Sequence, residues 1–439
     1  MPSYPESPAR VTAPLPSEPS AGGPAHGKAL PLEEIDRHPD PRELYRGIRA
    51  EHGPVVPVTL DGAFAWLVIG YQEVVTAMRK EMLFSRDPQH WRPRDPIPDD
   101  WSLGLHTQRR PNALFATGDE HERLRGALTR SIGMIRPGTV KRYTQTRANR
   151  LIDEFCEAGT ADLVADYAAR LPLMVLMRIF GFPERAEQQL MAAIPALLDS
   201  GDEAQAANQQ IMDVIESHIA HRRQELGADA MAWLIEGSNA STDEEIARSN
   251  AEIREQVWLT LASAMGAMGN WITNGLERQV SNMHLRNGLN HGLVDIEEAM
   301  EATLRSRPPL QRVIGRWATR DTLLGPTRIA AGDMLVLDLA ATNFDPCMEP
   351  DGRPLTHDDH NRAHLQFGAG SHGCPFPDPA RLIATVSVDS LLQRLPDVRL
   401  ADGAALNRRP SIIVSALESL PVTFTPTARS VAQEAPLGA

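Results

Sequence analysis

Apolar positions recur at helical spacing through most of the chain, and the intervals where that spacing fails are the informative ones. Leu32, Ile35, Leu44, Tyr45 and Ile48 mark a helix over 31–52. Residues 54–58 and 65–69 are continuous apolar runs either side of Asp61-Gly62, the signature of a short hairpin. Helical spacing returns over 72–82. From Arg86 to Phe115 the periodicity dissolves into an irregular stretch with Trp91, Trp101 and five prolines. A loop of that length inside a compact domain is functional or disordered. Residues 120–232 are almost wholly helical in pattern, punctuated at Gly159, Gly181-Phe182-Pro183 and Gly201-Asp202. Thr242-Asp243-Glu244-Glu245 forms a capping box. It starts a helix that is expected to break before the long run reaching about Val280. A further helix over 293–305 is stopped by Pro308-Pro309. Arg328-Ile329 and the run 334–337 alternate like strands around Ala331-Gly332-Asp333. The fold class expected is mainly α with a small β region.

Composition narrows the picture. The chain has 439 residues and a formal net charge of −13. The excess of acid argues against nucleic acid as a partner. Length alone suggests about two or three domains. The three cysteines, Cys156, Cys347 and Cys374, are odd in number and lack zinc-site spacing. No disulfide framework is implied, which fits a reducing cytoplasm. Residues 1–28, rich in Pro, Ser, Gly and Ala, read as a disordered tail, neither signal peptide nor anchor. Residues 429–439 read as a flexible C-terminal tail. The longest apolar run, 257–269, is interrupted by small and polar residues and is too short to span a bilayer.

The chemistry concentrates near the C-terminus, in Phe367-Gly368-Ala369-Gly370-Ser371-His372-Gly373-Cys374. A cysteine on a glycine-rich loop, followed by a helix-compatible run from Asp378, brings backbone close to a flat ligand. The loop N–H groups can hold the sulfur as thiolate, the axial ligand that pushes electron density onto haem iron. The pattern F-G-x-G-x-H-x-C resembles the haem-binding loop of the cytochrome P-450 superfamily. The resemblance extends over roughly residues 30 to 428. His121 and Arg125, at i and i+4 on one helix face, are similar to the family's H-x-x-x-R helix. Arg316 resembles the arginine on the strand after the family's E-x-x-R helix. Asn343-Phe344-Asp345-Pro346 and His364-Leu365-Gln366-Phe367 match further landmarks. The resemblance implies one haem domain over 29–428 and haem b bound with Cys374 as iron ligand. It assigns cofactor binding to His121, Arg125, Arg316, Phe367, Gly368 and His372. A soluble chain resembles the bacterial branch, which implies a cytoplasmic enzyme of secondary metabolism and no membrane. The substrate expected is a small hydrophobic organic molecule met by the 86–115 segment and the helices around 180–230. Electrons would come from a separate ferredoxin and ferredoxin reductase, with Arg123 and Arg381 as candidate docking cations. Trp91, Trp101, Phe115, Leu197 and Leu198 suggest a hydrophobic pocket, although core packing explains the same residues.

Three departures from the family pattern bear on function. The glutamate of E-x-x-R should be residue 302, which is Ala302; Glu301 lies four residues before Arg305, a spacing that still permits a helical ion pair. The long helix carries Gly266 and Ala267 where the family has an acid and an alcohol that deliver protons to bound dioxygen. Phe376 stands where the family has glycine after the cysteine, and Pro375 removes a backbone donor. The expected activity is a haem-thiolate monooxygenase. The alternatives left open are a haem-thiolate enzyme of non-classical chemistry (peroxide-driven oxidation, oxidative coupling or rearrangement) and a non-catalytic haem- or partner-binding protein.

Overall fold

The computed structural model describes residues 29–35, 40–94, 96–97, 101, 103–198, 204–348 and 361–430. The expected N-terminal tail, the Gly201-Asp202 break and residues 431–439 lie outside these. Arg429 and Ser430, expected in the flexible tail, are bonded to the segment around Asp153: Arg429 pairs with Glu157 at 3.1 Å, and Ser430 N–H and Oγ donate to Asp153.

The N-terminal region builds a sheet. After β1 (Leu30–Pro31) and a helical turn α1 (Leu32–Ile35), the helix expected over 31–52 restarts as α2 (Pro41–His52). Asp40 caps it by accepting from Arg42 N and Glu43 N, and Pro41 occupies its first turn, where no donor is missed. The hairpin β2 (Val55–Leu60) and β3 (Ala63–Val68) turns at Asp61-Gly62, both at positive φ. Next come α3 (Tyr71–Arg79) and β4 (Phe84–Ser85). Among its described residues the irregular segment holds one α-helical turn, α4 (Gly104–Thr107).

The helical body follows: α5 (Gly118–Gly133), α6 (Pro137–Phe155), β5 (Thr160–Asp162), a π-helical turn (Val164–Ala168), α7 (Leu171–Ile179), α8 (Glu184–Leu198), α9 (Ala204–Gln224) and α10 (Ala230–Gly237). Helix α11 (Asp243–Ser281) is then a single run of 39 residues. The expected break is absent. The Thr242 capping box forms, and the glycines Gly266 and Gly269 within the long run are carried by Ala- and Met-rich neighbours and by packing. The Cα of Gly269 faces the Ala168 carbonyl so closely that a Cβ would lie 3.2 Å from it. Tertiary contact of this kind overrides propensity.

After α12 (Met283–Asn290) and α13 (Ile296–Ser306) the chain returns to the sheet through β6 (Arg312–Ala318), β7 (Thr322–Leu324), β8 (Thr327–Ile329) and β9 (Met334–Asp338). The two strands expected around Gly332 part company: β8 pairs with β7 in a separate hairpin, while β9 enters the main sheet. That sheet has the order β1-β2-β3-β9-β6-β4. Helix α14 (Pro377–Arg394) follows the cysteine loop, and β10 (Arg399–Leu400) and β11 (Pro421–Thr423) join β5 in a small third sheet. One apolar core fills the helical body and two others line the faces of the main sheet. The cysteine loop lies at their seam, with Phe367 packed on the helical core and Ala369 on the sheet core. Trp91 and Trp101, expected in a pocket, are in ring contact at 5.5 Å and pack into a sheet core. The side chains of Leu197 and Leu198 lie outside the description.

Candidate haem-thiolate site

The loop from Phe367 to Cys374 closes on itself. Cys374 N–H donates to the Phe367 carbonyl at 2.7 Å and Gly373 N–H to Gly370 at 3.1 Å. Gly370, at φ +73°, lies against the end of α3, where a Cβ would come within 2.6 Å of the Met78 carbonyl. Glycine is therefore required there by both conformation and space. Phe376 N–H donates to Cys374 Sγ at 3.4 Å. Pro375 removes one donor, but the residue that replaces the family's glycine still supplies a hydrogen bond to sulfur. Cys374 has accessible surface, yet enough protein surrounds it that desolvation pushes its thiol up. The Phe376 N–H and the guanidiniums of Arg125 and Arg381 pull the other way. Of the three cysteines, only Cys374 is on the glycine loop; Cys156 is buried in the helical core and Cys347 is exposed beside Asp345.

Phe367 is caged. Trp271 of α11 meets its ring edge-on at 5.9 Å, His364 lies 5.9 Å away, and the Arg381 guanidinium sits 4.5 Å over its face. Behind it Glu301 accepts from Arg381 Nε at 2.6 Å and meets His364 Nε2 at 2.9 Å. Burial raises the Glu301 carboxyl, but these two partners outweigh it and hold it at about 2. This corrects the expected scaffold. The carboxylate of Glu301 is bound to His364, just ahead of the loop, and to Arg381 of α14, and the Arg305 guanidinium reaches the carbonyl of Asn361. Because Glu301 is displaced about 100° around the helix from residue 302, it faces α14 and finds the arginine there. The candidate docking cations are likewise engaged: Arg123 forks onto Glu252 at 2.7 and 2.8 Å, and Arg381 is tied to Glu301 and Asp378.

On the other side of the loop the expected cations converge. The rings of His121 and His372 lie 4.2 Å apart, and His372 Nε2 meets the Ala116 carbonyl at 3.1 Å. Arg125 follows His121 by one turn of α5. Arg316 is 3 % exposed and donates to the Phe84 carbonyl at 2.9 Å. Desolvation, joined by Arg316, Arg86 and His121, drives the His372 imidazole down to about 2, and His121 is lowered chiefly by burial. His121 Nε2 is buried without a partner among the described residues. An orphaned donor amid buried cations is a fit for carboxylates, so these residues suit the propionates of a haem. Sequence reasoning missed Arg86, which enters the same cluster. It also missed the role of His364 and Arg381 behind Phe367. Gly266 and Ala267 lie on α11, and a Cβ on Gly266 would meet its nearest atom, Val414 Cγ1, at an unstrained 4.0 Å.

No family model matches the chain. It is 30 % identical over 407 residues to the steroid C26-monooxygenase of Mycolicibacterium smegmatis, covering 88 % of this chain and 93 % of that protein. It is 28 % identical over 393 residues to the cytochrome P450 monooxygenase PikC of Streptomyces venezuelae, covering 88 % and 91 %. The fold matches the structure of CYP154A1 from Streptomyces coelicolor A3(2) with a TM-score of 0.75 at 25 % identity, over 88 % of this chain and 98 % of that one. The chain belongs to the cytochrome P450 superfamily and is a bacterial-type member of it. It is an oxidoreductase of the haem-thiolate monooxygenase class, with haem bound through a cysteine thiolate. Among the described residues no helix is long and apolar enough to cross a membrane.

Proposed function

We propose that Cys374 is the axial ligand of haem b and that His121, Arg125, Arg316, Phe367, Gly368 and His372 hold the cofactor. The bound haem supplies oxygen activation, and the chain inserts one oxygen atom into a small hydrophobic organic molecule in the cytoplasm. The observation that carries this is the cysteine loop itself: a sulfur holding a backbone hydrogen bond, beside a buried cluster of cations short of anions. Electrons come from a separate ferredoxin-type donor. With Arg123 and Arg381 in ion pairs, the exposed Arg79 and Lys80 at the end of α3, against Gly370, are the cations we assign to receive it. The reduced, carbon-monoxide-bound protein is expected to show the strongly red-shifted Soret band of thiolate ligation, lost in Cys374→His. A band at the histidine-ligated position in the unmodified protein would sink the proposal.

One observation favours a second reading. Neither Gly266 nor Ala267 offers a proton, and a general acid must lie within hydrogen-bond reach of the group it serves. In that reading the enzyme works with peroxide, or performs coupling or rearrangement. Turnover sustained by peroxide without an electron donor separates the two.

A further inference from the structure

Arg86 opens the irregular segment, and nothing in the sequence pattern marks it. It is 4 % exposed. Its Nη1 donates to the carbonyls of Ile314 at 2.6 Å and Gly315 at 2.7 Å. Those carbonyls are available because the β6–β9 ladder slips between Ile314 and Arg316, with Gly315 at φ +87°. A bulge of this kind leaves one residue out of the pairing and re-aims its neighbours. Ser85 pairs with Trp317 across β4 and β6, so Arg86, just past the end of β4, comes alongside Arg316 within β6, and Arg316 in turn donates to the Phe84 carbonyl. Two guanidiniums are thus interlocked in the interior through neutral acceptors. Arg86 Nε is buried and bonded to nothing among the described residues.

Uncompensated buried charge is costly, so this pair calls for anions. The Arg86 guanidinium lies 5.9 Å from the Phe115 ring, next to Ala116, whose carbonyl meets His372. His372 stacks near His121, with Arg125 one turn on. Among the described residues the carboxylate of this group that is not exposed to solvent is Glu81, bonded to Ser371 and 3.9 Å from His372. Arg86, Arg125 and Arg316 against Glu81 leave two positive charges in excess. A molecule with two carboxylates cancels them, and haem carries two propionates.

We propose that Arg86 is a cofactor-binding residue, a further propionate cation beside Arg316. Its charge retains the haem and raises its reduction potential. This rests on the haem-thiolate reading. The test uses the full-length holoenzyme and the variants Arg86→Gln and Arg86→Lys. Haem release is followed by transfer to excess apomyoglobin, and the midpoint potential by spectroelectrochemical titration. Losing a charge-assisted contact is expected to speed release in Arg86→Gln by roughly tenfold. Its potential shifts negative, because a removed cation disfavours electron uptake. Arg86→Lys keeps the charge but not the fork, and is expected to hold the potential near the parent value while releasing haem roughly threefold faster. Parent release rate and potential in Arg86→Gln, with only a lowered melting temperature, would mean that Arg86 merely braces β6, and the proposal falls. If Arg86→Gln does not fold, a parent release rate in Arg86→Lys overturns it equally. The reduced carbon-monoxide spectrum of the parent reports independently on Cys374: loss of the red-shifted band there ends the haem-thiolate reading, whatever Arg86 does.

Discussion

Glu301 shows how one residue's offset changes its chemistry. Placed one position early for its expected role, it sits buried between His364 and Arg381, and its carboxyl is held at about 2 against an ordinary value of 4.5. A depressed carboxyl contributes stability that is fully present above its unfolded value. That contribution drains away as pH falls from about 4.5 through about 2. Charge-assisted hydrogen bonds of this kind, screened in part by solvent, contribute on the order of 1–3 kcal/mol. Glu301→Gln is therefore expected to be less stable than the parent by about that much near neutral pH. The gap should narrow as pH falls below about 4.5. Chemical denaturation near pH 7 and near pH 3 checks this, and a gap independent of pH would show that the carboxylate's charge is irrelevant. Because Arg381 also covers the Phe367 face at 4.5 Å, the same variant loosens the cage around the cysteine loop.

Among elements, α11 decides what chemistry is open. The expectation of a break ahead of the long run to about Val280 failed, because the contacts that hold α11 together, such as Gly269 against Ala168, come from a segment about a hundred residues earlier and leave no local pattern. Elements announced by local chemistry were legible: the Asp61-Gly62 hairpin, the Thr242 cap, and the glycine loop up to Cys374. The convergence of His121, Arg125, Arg316 and His372 was legible because each sits in a spaced motif. Arg86 and the Glu301–Arg381 bond escaped because they depend on a bulge and on a helix rotation, which leave no local pattern. A Cβ at Gly266 meets its nearest atom, Val414 Cγ1, at an ordinary 4.0 Å, so a side chain can start there without a backbone clash. Gly266→Glu combined with Ala267→Thr is expected to raise the fraction of O₂ consumption coupled to product and to lower any dependence on peroxide. Oxygen uptake measured against product formation reads it. Unchanged coupling would mean that protons reach the site by a route independent of this helix.

Over the whole molecule, the site sits where the helical core meets the sheet cores, and the irregular 86–115 segment spans that seam. It is pinned at both ends. Near its start Arg94 pairs with Asp333 at 2.9 Å and covers the Phe64 ring at 3.9 Å, on the sheet side. Near its end Arg110 forks onto Glu255 of α11 at 2.6 and 3.2 Å and lies 3.7 Å over Trp258, with Met212 of α9 at 3.8 Å. The Arg110–Glu255 pair is nearly buried, with side-chain exposures of 13 % and 8 %. Removing one partner of such a pair strands the other charge and costs about 3–5 kcal/mol, whereas removing both costs less. Arg110→Ala is therefore expected to loosen the segment's hold on α9 and α11 together, and Arg110→Ala with Glu255→Ala to recover part of the loss. Hydrogen exchange over 103–116 should accelerate more in the single variant than in the double. Apolar ligands, followed by the haem spin-state change, should bind and leave faster when the tie is cut. Equal exchange rates in the parent and the single variant would show that the segment is held by its apolar packing alone, with the fork contributing nothing to closure.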